Sequence, residues 1–239
     1  MGSDHTFSVS IRKVIRSMAV VVVALIVAHE IVTLQAVATN PASLAVGQEH
    51  GFLRMFDLGT EANFPTWYQV ITIAFSAFLL AIIASAKRSV NDKFTWFWAF
   101  MGVVFFFLSA DEASGIHEAI GSIMEKKMPT SGALSYGWVI PYMILGLVFL
   151  GIVWKFLFSL GPKFRILLIV SGIVYVSGAV GMEMVEAYYD NSVGMYTSVG
   201  VSLRAIEEGL EMTGILLFNY SLLSYIREQL PQIFFRVDP

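Results

Sequence analysis

Six long apolar runs limit the folds that this chain can adopt. A membrane helix needs about 20 mostly apolar residues. The six runs are Val14–Ala36, Trp67–Ala86, Phe94–Ala113, Trp138–Phe158, Ile166–Val185 and Val201–Ile226. Only 14% of the 239 residues are charged, whereas soluble domains carry about 25%. The sequence therefore predicts an all-α polytopic membrane protein, with a six-transmembrane-helix bundle and one integral membrane domain over residues 1–239.

The basic residues predict how this bundle is oriented. With a cytoplasmic N-terminus, eleven of them lie on the inner side: Arg12, Lys13, Arg16, Lys87, Arg88, Lys93, Lys155, Lys163, Arg165, Arg227 and Arg236. Four lie on the outer side: Arg54, Lys126, Lys127 and Arg204. This positive-inside bias predicts that the N- and C-termini are both cytoplasmic. The outer loops are then about 37–66, 118–137 and 187–200, facing the periplasm or exterior if the membrane is a bacterial cytoplasmic membrane.

Eight carboxylates are predicted to lie in one thin layer at the outer ends of these runs. They are Glu30, Asp111, Glu112, Glu183, Glu186, Glu207, Glu208 and Glu211. Asp111 is 18 residues from Lys93, and Glu183 is 18 residues from Arg165. At 1.5 Å per residue the acids lie roughly 24–29 Å from the inner flank, near the outer edge of the hydrocarbon. Ionised groups at such depth persist only when they are paired, protonated or bound to a cation.

The spacing of these acids favours a bound metal ion. Glu207 and Glu211 are four residues apart on one helix, so their charges repel, and Arg204 can neutralise only part of the layer. Carboxylate and imidazole ligands suit iron, manganese or zinc, and an all-oxygen site suits calcium. The predicted divalent-metal ligands are His29, Glu30, Asp111, His117, Glu183, Glu186, Glu207, Glu208 and Glu211. Ser109 and Arg204 are expected to orient or neutralise them.

Two other interpretations of the acid layer stay open at this point. The carboxylates can be helix-end residues that reach into lipid headgroups, or they can share protons in a hydrogen-bonded network. His117 adds a geometric condition, because on a straight helix it points about 120° away from Asp111. Only a break at Ser114–Gly115 would bring these two side chains to one centre.

Three segments resemble a pattern found in uncharacterised bacterial six-helix membrane proteins. The segments read FDLGTEANFPTW, LSADEASGIHE and IEEGLEM. This resemblance implies an architecture but no activity. A fainter resemblance is to the alkaline-ceramidase-like membrane hydrolases, onto whose pattern Glu61, Ser76 or Ser109, and the Asp111–Glu112 pair can be laid. That resemblance implies zinc hydrolysis, but the family's late His-x-x-x-His is replaced here by Glu207–Glu211.

The expected function is that of a metal-dependent membrane enzyme, a hydrolase or an oxidase, acting on a lipid or a small periplasmic molecule. Asp111, Glu112 and Glu208 are the expected catalytic residues. A cation or proton-coupled transporter and a non-catalytic subunit of a membrane complex are the alternatives, and a homo-oligomer is compatible with each. The chain has no cysteine, which excludes thiolate chemistry. Its scattered basic residues give no sign of nucleic-acid binding.

Overall fold

The computed structural model describes residues 10–39, 52–127, 131–194 and 197–230, and these ranges are almost entirely α-helical. We number the helices in chain order. They are α1 (Ile11–Thr39), α2 (Phe64–Ser89), α3 (Thr95–Ser114), α4 (Ile116–Lys127), α5 (Val139–Ser159), α6 (Pro162–Val176), α7 (Glu183–Ser192) and α8 (Ser198–Gln229).

Within the described ranges, five helical segments are long and apolar enough to cross a membrane. They are α1, α2, α3, α5 and the continuous segment Pro162–Ser192, which contains α6 and α7. The chain therefore has the character of a multi-pass membrane protein. Helix α8 is the longest, at 32 residues, but Arg204 and three glutamates in its first half lower its hydropathy.

Local sequence explains where the helices of the site begin. The side chain of Asn63 caps α2 by accepting a hydrogen bond from the Thr66 N–H at 3.0 Å, and Pro65 occupies the first turn, where no N–H is needed. Thr197 caps α8 in the same way, accepting from the Gly200 N–H at 3.0 Å. Both caps lie at the end of the bundle that carries the acids.

Helices α6 and α8 pack unusually closely because two glycines face the neighbouring backbone. A Cβ added at Gly178 would lie 2.7 Å from the Glu207 carbonyl oxygen, and one added at Gly214 would lie 2.6 Å from the Tyr175 nitrogen. Gly178 belongs to a π-helical turn, Ser177–Met182, that joins α6 to α7. This wide turn and the close packing hold the acids of α7 against those of α8.

The largest apolar core lies at the opposite end of the bundle from the acids. It joins α2, α3, α5, α6 and α8 through fully buried side chains that include Leu80, Ile83, Trp98, Phe156 and Leu222. A smaller cluster packs α1 against α8 through Val22, Leu25 and Met212.

The segments predicted as outer loops are partly helical in the described residues. The predicted loop 118–137 contains most of α4 and a short 3₁₀ turn, Gly132–Leu134. The predicted loop 187–200 is shortened to the few residues between α7 and α8, because helical geometry continues to Ser192 and resumes at Ser198. Within the predicted loop 37–66, a 3₁₀ turn covers Phe52–Phe56, and residues 40–51 lie outside the described ranges.

Candidate metal centre

A sharp break between α3 and α4 brings His117 back onto Asp111. Helix α3 ends at Ser114, and Gly115 adopts a left-handed conformation with φ 59° and ψ 39°, which residues with a Cβ rarely adopt. The His117 N–H donates to Asp111 Oδ1 at 2.8 Å, and His117 Nδ1 lies 3.3 Å from the same oxygen. The geometric condition that the sequence set for His117 is therefore met.

Two side chains at the start of α5, Tyr142 and the preceding Trp138, complete the surroundings of this pair. The Tyr142 hydroxyl donates to Asp111 Oδ2 at 2.9 Å, so both oxygens of this buried carboxylate have partners. The Trp138 ring meets the His117 ring edge to face, with centroids 5.2 Å apart. Asp111 thus fixes the orientation of the imidazole and engages Nδ1, which leaves Nε2 available for a ligand.

His117 and two neighbouring glutamates have the spacing of a candidate metal site. Glu61, His117 and Glu118 each offer one ligand atom, and these atoms all lie within 4.8 Å of one another. Tetrahedral ligands that are each about 2.1 Å from one ion lie about 3.4 Å apart, so a bound ion would require the ligand atoms of these side chains to move together by up to about 1.4 Å. We call these three residues the His117 cluster. A donor set of one imidazole and two carboxylates suits zinc, iron or manganese.

The electrostatics of the His117 cluster also favour a cation. Burial raises the pKa of Glu61, and the neighbouring charge of Glu118 raises it further. Burial alone would lower the pKa of His117, but the hydrogen bond to Asp111 and the charges of Asp111, Glu112 and Glu61 together raise it above its usual value. An added positive charge is therefore stabilised here, whether it is a proton on His117 or a metal ion.

Glu61 is brought to the His117 cluster by residues 57–63, the short segment before α2 that is anchored through His29; we call it the outer segment because it lies in the predicted outer loop 37–66. The Leu58 N–H donates to His29 Nδ1 at 2.9 Å, and His29 Nε2 lies 3.2 Å from the Val201 carbonyl oxygen. Because both ring nitrogens have protein partners, we leave His29 out of the proposed ligand set. Its position between α1, α8 and the outer segment indicates a structural role.

Asp57 reinforces this anchor next to His29. Its Oδ1 lies 3.3 Å from His29 Nδ1 and accepts a hydrogen bond from the Gly59 N–H at 2.9 Å. Burial alone would raise the pKa of Asp57, but His29, the Gly59 N–H and the charge of Arg204 together hold that pKa below its usual value. The negative charge of Asp57 therefore helps to hold the outer segment on the bundle.

A second group of acids lies where α7 meets α8. Glu207 is within hydrogen-bonding reach of Glu183 and Glu186, and we call these three residues the Glu207 group. The Trp138 indole N–H donates to Glu183 at 3.0 Å. One oxygen of the buried Glu186, Oε1, has no hydrogen-bond partner. Carboxylates this close need shared protons or a cation between them.

Arg204 neutralises part of this second group from α8. Its Nη2 donates to Asp190 at 2.8 Å, and its Nε lies 3.6 Å from Glu186 Oε2. The sequence predicts that Arg204 neutralises part of the acid layer; these two contacts are with acids on α7, of which Glu186 belongs to the predicted layer and Asp190 does not. Asp190 also accepts a hydrogen bond from the Tyr136 hydroxyl at 2.8 Å.

Glu112, Glu208 and Glu211 lie between the two groups. Glu211 is near enough to Glu112 and Glu183 for charge–charge interaction, and Glu208 is likewise near Glu112 and Glu211. Gln69 of α2, which is 1% exposed, donates to Glu211 Oε2 at 3.0 Å. Acids from α3, α7 and α8 therefore form one continuous electronegative region, and Glu112 connects it to the His117 cluster.

Two residues of the predicted site, Glu30 and Ser109, form hydrogen bonds with groups outside this electronegative region. Glu30 accepts a hydrogen bond from Ser202 at 3.2 Å, which ties α1 to α8. The Ser109 hydroxyl donates to the Val70 carbonyl oxygen at 3.0 Å, so its proton holds α3 on α2 and does not orient a carboxylate.

Glu61 and Glu118 are not among the metal ligands predicted from the sequence. The available signals were the shared helical face of Asp111, Gly115 and Glu118, the position of Glu61 just before the Asn63 cap, and the place of Glu61 in the fainter hydrolase resemblance.

A family model covers residues 17–225, almost the whole chain. The chain belongs to the DUF8692 family, a domain of unknown function. No curated protein and no solved structure matches it.

Proposed function

We propose that this member of the family is a metal-dependent membrane enzyme that hydrolyses a lipid or another amphiphile at the outer membrane surface. The observation that carries the proposal is the His117 cluster, in which three ligand atoms converge within 4.8 Å and Asp111 orients the imidazole. The buried carboxylate partner is typical of histidines that bind metal, because it fixes the tautomer and raises ligand basicity.

The proposed metal is zinc, iron or manganese, bound by Glu61, His117 and Glu118. When bound, such an ion supplies an activated water and polarises a substrate carbonyl or phosphoryl oxygen. Glu112 lies near both His117 and Glu61, and we assign it the role of general base. Asp111 is a positioning residue in this scheme. The Glu207 group, Glu208 and Glu211 maintain the negative potential that draws cations to this end of the bundle.

The proposed topology has six membrane helices, with α8 as the sixth and both termini in the cytoplasm. Its support is the positive-inside bias of eleven basic residues against four. The metal centre then faces the periplasm or exterior of a bacterial cytoplasmic membrane.

A cation or proton-coupled transporter is the second candidate, and a buried polar column favours it. Asn219 accepts a hydrogen bond from Ser76 at 3.0 Å and donates to the Thr72 carbonyl oxygen at 3.1 Å, so polar groups continue below Gln69 and Glu211. Further from the acids, Leu80, Ile83 and Leu222 are each 0% exposed and belong to the apolar core. Because transport needs polar groups along the whole path, this core favours the enzyme.

The test is a search for lipid turnover in proteoliposomes by mass spectrometry, with matched variants on one helix. We expect Glu118→Gln to lose both the metal and the product. The control Glu125→Gln, on the exposed part of α4, should keep both. Glu112→Gln should retain the metal and lose turnover by about 10²–10⁴-fold, as expected for removal of a general base.

Two results would overturn this proposal. Turnover that survives complete removal of metal by a chelator would show that the cluster is not catalytic. Ion flux that is abolished by Glu211→Gln, in the absence of any lipid product, would make the protein a transporter.

A further inference from the structure

Helix α5 is fixed to the rest of the bundle at its two ends. At the outer end Tyr142 donates to Asp111, and Val139 is 0% exposed. At the inner end the Phe156 ring packs on the Trp98 ring with centroids 4.9 Å apart, and Val153 is 2% exposed. These contacts define the position of α5 along its length.

Between these ends, α5 does not pack against the bundle. All six residues from Met143 to Val148 are exposed, and Leu145 and Leu147 are 58% and 65% exposed. Six consecutive residues cover more than one and a half helical turns, so they point in every direction around the helix. The exposed surface therefore includes the side of α5 that faces the bundle.

Gly146 locates the open space on that inner side. Tyr142, Phe149, Val153 and Phe156 form the stripe of α5 that contacts the bundle, and Gly146 falls on it, four residues after Tyr142 and three before Phe149. A Cβ added at Gly146 would meet no atom within 4 Å. Gly146 thus faces inward into unfilled space.

Helix α3 forms the other wall of this space. Phe100 packs on Phe149 with ring centroids 5.9 Å apart, and Asp111 accepts from Tyr142, so the face of α3 between these two residues lies opposite Gly146. Phe107 is on that face, seven residues after Phe100, and is nevertheless 43% exposed. The result is an apolar crevice between α3 and α5, about 10 Å long from Tyr142 to Phe149.

We propose that this crevice binds one acyl chain of a membrane lipid, with the polar end of the lipid at Tyr142 and the His117 cluster. The walls are apolar, and the medium around helices of this length and hydropathy is lipid hydrocarbon. Polar groups occur only at the outer end, where Tyr142, Trp138 and Asp111 meet. A second protein helix, about 10 Å in diameter, would not pass behind a helix that is pinned at both ends.

One consequence of this proposal rests on the proposed function, namely that the substrate of the enzyme is an amphiphile with an acyl chain. Binding of the chain itself depends on the crevice alone. The two can therefore fail separately: the crevice can hold lipid whether or not a metal is bound, and a metal can bind whether or not the crevice is filled.

The experiment is photo-crosslinking in nanodiscs that contain a phospholipid with a diazirine in one acyl chain, followed by peptide mapping. We expect labelling of the peptides that contain Gly146 and Phe107. Gly146→Phe should lower this labelling about tenfold, because the new ring fills the space. Gly151→Phe is the matched control, since Gly151 also has no atom within 4 Å of an added Cβ but lies on the opposite side of α5.

Labelling on the inward face of α5 that is equal in Gly146→Phe and Gly151→Phe would overturn the proposal. A cross-link between two copies of the chain in place of lipid labelling at this face would also overturn the proposal. Thermal denaturation of each variant in detergent serves as the folding check. If Gly146→Phe is unfolded, Gly146→Leu replaces it, and unchanged labelling in that variant also counts against the acyl-chain site.

Discussion

Asp111 and His117 illustrate how one contact can define the role of a residue. Asp111 Oδ1 accepts a hydrogen bond from the His117 backbone N–H and lies 3.3 Å from Nδ1 of the ring, so we assign Nε2 to the metal. His29 has the opposite arrangement, with protein partners at both nitrogens. The sequence predicts both histidines as ligands because both lie beside carboxylates, with His117 depending on a helix break, and their hydrogen bonds now distinguish them.

The anchor at Asp57 leads to a prediction on pH and stability. Because the pKa of Asp57 is held below its usual value of 3.8, its charge stabilises the folded state at pH above 3.8, and this stability is lost as pH falls through the lower folded pKa. We expect Asp57→Asn to reduce the free energy of unfolding at pH 6 by about 1 kcal/mol, the typical net contribution of one hydrogen bond. The difference from wild type should vanish at strongly acidic pH.

Thermal unfolding in detergent between pH 6 and about pH 2 measures this difference. Glu125→Gln serves as the control, because the side chain of Glu125 is exposed, and it should follow the wild type throughout. A difference between wild type and Asp57→Asn that grows as the pH falls would contradict the assigned sign.

The α3–α4 break is the element on which the His117 cluster depends. The positions of the long helices could be predicted from apolar runs, and their observed bounds extend the predicted runs by a few residues at most ends. The sequence showed that His117 could reach Asp111 only if the helix broke at Ser114–Gly115. It could not predict that break, because Gly115 is also compatible with a continuous helix. Nothing in the sequence predicted the π-helical turn at Ser177–Met182, in which Gly178 packs closely on the backbone of α8.

We predict that Gly115→Ala disturbs both the fold and the metal site. Its left-handed φ of 59° disfavours a side chain, at a cost of about 1–2 kcal/mol. The added Cβ would also lie 3.0 Å from Glu61 Oε2. We expect a lower melting temperature and weaker metal binding, measured by thermal unfolding and by metal titration of the metal-free protein.

Gly132→Ala is the matched control for that variant. Gly132 has a φ of 64°, and a Cβ there meets no atom within 4 Å, so it introduces the same backbone strain away from the cluster. The melting temperature of this variant should fall similarly with metal affinity unchanged. Equal loss of metal affinity in both variants would mean that the effect of Gly115→Ala is only general destabilisation.

Across the whole molecule, polar and apolar interiors occupy opposite ends of the bundle. Helical rise along each run was sufficient to predict that acids from different helices lie at one end. Helical rise could not predict that the acids would separate into the His117 cluster and the Glu207 group, because this separation depends on contacts between distant segments. Glu61 and His117 are 56 residues apart in the chain, and only the outer segment fixed by His29 brings them together.

The central claim is that the His117 cluster binds a divalent metal, and metal analysis of the purified protein tests it most directly. Inductively coupled plasma mass spectrometry should compare wild type with His117→Ala, Glu183→Gln/Glu211→Gln and the control Glu125→Gln. We predict about one equivalent of zinc, iron or manganese in wild type and Glu125→Gln, and its loss in His117→Ala. Absence of stoichiometric metal from the folded wild-type protein, or its full retention in His117→Ala, would contradict the claim. Loss only in the double variant would instead assign the metal to the acids of α7 and α8.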